Sequence, residues 1–221
     1  MKLRLSGIVC ACSLVLPAVV NAALFDFQDW INTNGEQGFN NAAPFSLTDS
    51  GLTLTATAFD QPGMVVSHVY MDGLFNGIIG GMGVCTTLDG SKQCVPSSDD
   101  NVSIDGTSQE ILSWDFSANI NGITLEMGNS QHPAFASSNF EYRINGGGWL
   151  TGTTNATGFV SLDFGVSANN IDFRTAGANI TDQFYIRNAA IVPVPAAVWL
   201  FSSGLLGLAG MVTRRKKRLV G

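Results

Sequence analysis

Basic residues are scarce in the part of this chain that would meet a partner. Of its 221 residues eleven are lysine or arginine, and between residues 23 and 191 only Lys92, Arg143, Arg174 and Arg187 are found. All seventeen acids lie in that same stretch, which therefore carries a net −13. Such a surface repels nucleic-acid phosphates and anionic headgroups, so nucleic-acid binding is excluded. Histidine is nearly absent too. His68 sits in a strand-like run and His132 in a Gln-His-Pro turn, and neither belongs to a zinc-helix motif or a nucleophile elbow. Two of the seventeen carboxylates could in principle serve a glycoside hydrolase, but no spacing singles out a pair, and the chain is read as a non-enzyme. Helical periodicity is nearly absent before the last thirty residues.

Alternation of apolar and polar residues is plentiful instead. Leu52-Thr-Leu-Thr-Ala-Thr-Ala-Phe59 alternates as a strand with one buried face does. Further strands are predicted at 64–70, 111–118, 120–127, 140–144, 159–164, 171–175 and 183–187. Turns are expected at 49–51, 60–63, 119–122 and 145–148. The pattern predicts an all-β fold, an antiparallel jelly-roll-like sandwich, with Trp114 inside beside Leu112 and Phe116. A long glycine-rich connection is expected from Gly73 to Gly106.

Of four cysteines, Cys10 and Cys12 fall in an N-terminal leader and Cys85 and Cys94 remain. Two positive charges at Lys2 and Arg4, an apolar run from Ile8 to Val20 and the Val20-Asn21-Ala22 site read as a signal peptide, residues 1–22. Export through an oxidising compartment predicts a Cys85–Cys94 disulfide. Asp99, Asp100, Asn101, Asp105 and Glu110 gather hard oxygens in a short span, open to a loop calcium site or to a solvated acidic turn. Trp149 follows a glycine turn, where its indole either forms a sugar platform or packs inward.

No residue between Arg187 and Arg214 is charged. Residues 196–213 are long enough for one transmembrane helix, prolines precede it, Trp199 stands near one end, and the basic tail 214–218 places the other end in the cytoplasm. Ser203, Gly204, Gly207 and Gly210 carry the small-residue spacing of packed membrane helices. Val192-Pro193-Val-Pro195-Ala196, Trp199, Phe201, Gly204, Leu205, Leu206, Gly207, Arg214 and Arg215 in this order resemble a PEP-CTERM sorting domain. Val194 takes the place of the glutamate in the name-giving motif. The span from Gly83-Val-Cys85 through Cys94 to Glu110 is similar to a segment of β-sandwich ectodomains found with that domain.

The resemblance implies an exported protein (ectodomain 23–190, sorting segment 191–218 with its motif at 192–196). Its partners would be an exosortase, the inner membrane during sorting, and exopolysaccharide at the cell surface or in the matrix. Two functions follow as expectations: a structural matrix protein, or a calcium-dependent carbohydrate-binding module.

Overall fold

The computed structural model describes residues 22–61, 65–105, 108–177 and 182–191. The signal peptide, the sorting motif, the transmembrane helix and the basic tail lie outside them. Among the described residues no helix is long and apolar enough to cross a membrane.

The described chain is mostly β-strand with one helix. β1 (Ala23–Asp26) leads into α1 (Phe27–Asn34), followed by β2 (Gln37–Phe39), β3 (Phe45–Asp49), β4 (Leu52–Gln61), β5 (Val65–Phe75) and β6 (Ile78–Cys85). After a long loop come β7 (Ile104–Asp105), β8 (Ser108–Asn129), β9 (Asn139–Ile144), β10 (Leu150–Thr153), β11 (Phe159–Thr175) and β12 (Phe184–Ile191). Every pairing is antiparallel, and the path β1-β12-β6-β5-β4-β8-β11-β9-β10 makes one twelve-stranded sheet with β2, β3 and β7 as side pairings. The sheet closes on itself. One edge of β8 takes β4 along its first half and β12 along its second, and β12 returns through β6 and β5 to β4.

β4 buries every second residue from Leu52 to Asp60, as its sequence predicts. The core behind it centres on Trp114, fully buried, with Phe173 at 5.0 Å and Phe27 at 5.5 Å between ring centroids. Its indole N–H donates to the Met82 sulfur at 3.1 Å. α1 delivers Phe27 and Ile31 to this core. Asp26 caps its start by accepting from the Asp29 N–H at 2.9 Å, and the Gly35 N–H returns to the Ile31 carbonyl at its end.

Three expectations are corrected. Helix α1 escaped the periodicity reading, because eight residues with two buried positions present too short a repeat. The turn expected at 119–122 is absent, and β8 runs through it as one strand of 22 residues. Gly122 serves close approach there: a Cβ would stand 2.8 Å from the Leu162 carbonyl oxygen of β11. Register shifts around Ala168 absorb the polar residues. Likewise residues 78–85 belong to strand β6, so the long connection starts at Thr86 and not at Gly73. Its glycines admit neighbours: a Cβ at Gly80 would collide with the Asp72 carboxylate, and one at Gly83 with the Asp100 carbonyl.

Candidate functional site

β5 and β6 form a hairpin whose residue Asp72 lies opposite Gly81. The glycines of β6 leave room above Asp72, and the turn after β8 fills it with His132, held at φ 71°. His132 Nε2 lies 2.5 Å from Asp72 Oδ2, and Nδ1 lies 2.7 Å from the Ile78 carbonyl oxygen. Both ring nitrogens thus face acceptors, the arrangement an imidazolium satisfies with two N–H donors. The ring stands edge-on to Phe75 and Tyr185.

The loop from Thr86 to Ser103 brings a second carboxylate. The Cys85–Cys94 disulfide closes its first part, with the two Cα atoms 5.8 Å apart. Reciprocal backbone bonds between Val102 and Phe184 pin its end to β12. Asp100 is thereby set beside Tyr185, whose hydroxyl donates to Asp100 Oδ1 at 2.5 Å. Farther along, the Tyr70 hydroxyl donates to Glu36 Oε1 at 2.5 Å, and Gln93 donates to the Glu36 carbonyl oxygen.

Glu36, Asp72, Asp100, His132 and Tyr185 line a cleft of about 430 Å³ with Asn101, Gln131, Gln183, Ser97 and Ser98. Leu74 and Phe75 stand at its rim, 68% and 52% exposed. Burial, reinforced by the Asp72 charge, pushes Asp100 up to about 6. For His132 burial is the largest influence and works against the charged ring. The Asp72 carboxylate and the Ile78 carbonyl outweigh it, so His132 titrates above its ordinary value. Burial also drives the Tyr185 hydroxyl upward, so it stays a neutral donor. The result is an acidic, hydroxyl-rich groove in which one imidazole stands among three carboxylates.

Of the candidate calcium ligands, Asp99, Asp100 and Glu110 take separate hydrogen-bond partners. Asp99 accepts from the Thr86 N–H at 3.0 Å, Asp100 faces the cleft, and Asn101 is buried with its Oδ1 unpartnered. Asp105 ends β7 opposite Ser108. Glu110 points into the interior, where its Oε2 accepts from both the amide and the hydroxyl of Ser103 at 2.8 Å. Among the described residues, three His, Cys, Asp or Glu ligand atoms converge at Cys85, Cys94 and Asp99, but both sulfurs there are taken up in the disulfide.

Trp149 is half-buried, with the Arg174 and Arg143 guanidinium carbons 3.9 and 4.7 Å from its ring centroid. Those arginines pair in turn with Glu141 and Asp172, each at 2.6 Å. A cation-covered indole is a poor stacking platform. Sequence reading passed over Asp72, Tyr185 and Glu36 and took His132 as a turn residue. The alternation of β5 carries a faint signal, since Asp72 interrupts the buried face that Tyr70 shares. No family model, curated protein or solved structure matches this chain.

Proposed function

We propose that this chain is an exported surface or matrix protein whose ectodomain retains exopolysaccharide in the cleft over Asp72 and His132, without turning it over. Export and sorting by an exosortase rest on the two ends of the sequence: the leader, the Val-Pro-Val-Pro-Ala motif, the apolar span and the basic tail. The ectodomain is read as a jelly-roll-like sandwich in which the long strands β8 and β11 serve both layers.

The cleft lining is the observation that carries the binding reading. Glu36, Asp100, Asn101, Gln131 and Gln183 offer acceptors and donors for sugar hydroxyls, and exposed Phe75 and Leu74 offer apolar surface for a sugar face. Three carboxylates against one imidazole favour neutral or amino sugars over uronic acids. The His132 ring has both nitrogens engaged, which suits a structural cation better than a proton shuttle.

The test is a calorimetric titration of the ectodomain with host exopolysaccharide and with neutral and acidic fractions, in calcium and then in EDTA. Saturable binding to the neutral fraction, weakened about tenfold by Phe75→Ala, supports the reading. Absence of binding in either medium would leave a structural matrix protein, and loss of binding on chelation would make calcium part of it.

A further inference from the structure

Where β8 begins, next to the end of the Thr86–Ser103 loop, the core-facing rows of three strands finish in oxygen instead of carbon. The buried row of β4 runs Leu52, Leu54, Ala56, Ala58 and then Asp60, 6% exposed. In β8 Leu112, Trp114 and Phe116 share a face with Glu110, which is fully buried and pairs with Asp60 in register. In β11 Phe173 pairs with Leu112, and Thr175 stands two residues farther along the same strand, on the face Phe173 shares. Thr175 is fully buried as well. The Gln109 side chain, donating to the Thr175 carbonyl oxygen at 2.8 Å, ties the two strand ends together.

These side chains are not satisfied by one another. Glu110 Oε1 and Thr175 Oγ1 are both buried without a hydrogen-bond partner, although Glu110 Oε2 takes two bonds from Ser103 and Asp60 Oδ1 takes one from Ser67 at 2.8 Å. The charges are not compensated either. Burial, then the like charges of Asp99 and Asp60, disfavour an ionised Glu110, and among the described residues no lysine, arginine or histidine forms an ion pair with Asp60 or Glu110. Orphaned buried oxygens destabilise a fold, and unpaired buried carboxylates do so more strongly. Two carboxylates and a hydroxyl are hard oxygen donors, and with both acids ionised their charge of −2 matches a divalent cation. Calcium bound at 2.3–2.6 Å from each donor sits between oxygens too far apart to hydrogen-bond directly, as unpartnered oxygens on neighbouring strands would be.

We propose that Asp60, Glu110 and Thr175 form a buried site for one divalent cation of the calcium type, which ties β4, β8 and β11 together at their ends. None of the three lines the polysaccharide cleft.

Thermal unfolding of the full-length chain in detergent, with calcium chloride, magnesium chloride or EDTA, tests it, alongside elemental analysis for bound metal. One calcium per chain is expected, with a rise of about 5 °C in melting temperature at a hundredfold excess over the dissociation constant, reversed by EDTA. Thr175→Val, which keeps shape and removes only the orphaned hydroxyl, should weaken calcium binding about tenfold. Glu110→Gln should abolish the calcium response. The proposal is overturned if neither cation shifts the parent. It is equally overturned if infrared spectroscopy of the parent in calcium shows a protonated buried acid that Glu110→Gln removes. A calcium shift that survives both substitutions would place the metal elsewhere and overturn it too.

Discussion

Above neutral pH the ionised carboxyl of Asp100 costs this fold stability, and Asp100→Asn should therefore raise its melting temperature there, with a gain that shrinks as the pH falls. Burial, with the Asp72 charge adding to it, pushes this carboxyl from 3.8 up to about 6. A folded-state value above the unfolded one means that the folded chain holds the proton more tightly. The resulting stability is complete below about pH 3.8 and is lost as the pH rises through about 6. The difference corresponds to roughly 3 kcal/mol, reduced to about 2 kcal/mol because the cleft admits water to one side of the group. Asparagine retains Oδ1 as the acceptor for Tyr185 and discards the charge.

His132, whose folded value is also raised, shifts stability in the same direction: its contribution is full below 6.5 and is lost above its folded value. Melting curves of parent and variant from about pH 4.5 to about pH 8.5 provide the assay. At about pH 8 the variant should melt roughly 4–8 °C higher, and at about pH 4.5 the gain should shrink to roughly a third of that. The groups that decide the outcome are Asp72, Glu36, His132 and Tyr185, all of which line the same cleft. A variant that melts below the parent at high pH would refute the reasoning. It would show that Asp100 is held as a charge partner of the His132 ring and that this attraction exceeds its burial cost.

Cys94→Ser opens a loop closed across nine residues of sequence and should lower stability by roughly 2–3 kcal/mol, read by denaturant titration under non-reducing conditions. Sorting should be unaffected. Trp114→Ala removes the centre of the core and the bond to Met82, at a cost of about 3–5 kcal/mol, so the variant should be largely unfolded at physiological temperature by circular dichroism. Trp149→Ala should cost only about 1 kcal/mol, less at high salt, and leave polysaccharide binding intact, since the indole serves Arg143 and Arg174. Deleting residues 192–221 should release the chain into the periplasm or medium, followed by fractionation and immunoblotting.

Strand β4 was legible because one half-buried strand repeats every two residues, a signal contained in the local order of Leu52 to Phe59. The single strand β8 was not. Asn119, Asn121 and Gly122 are turn residues by composition, and only the presence of β11 alongside turns them into an irregularity within a strand. The glycines of β6 misled in the same way. Glycine signals a loop when read alone, and here it signals that Asp72 and the Asp100 backbone come close to the strand. Calcium was sought in the loop acids for their spacing, yet Asp99, Asp100 and Glu110 take separate partners once folded.

What the amino-acid order determined alone is whatever depends on neighbours in sequence: the alternating strands, the acidic surface, the cysteine pair within one short loop, and the hydropathy and charge of the two ends. What only the tertiary structure decided is which distant residues share a dielectric. Asp72, Asp100, His132 and Tyr185 come from four separate segments, and Asp60, Glu110 and Thr175 from three strands. Burial and charge act over a few ångströms of space, however far apart the groups lie along the chain, and for that reason both sites become visible only after folding.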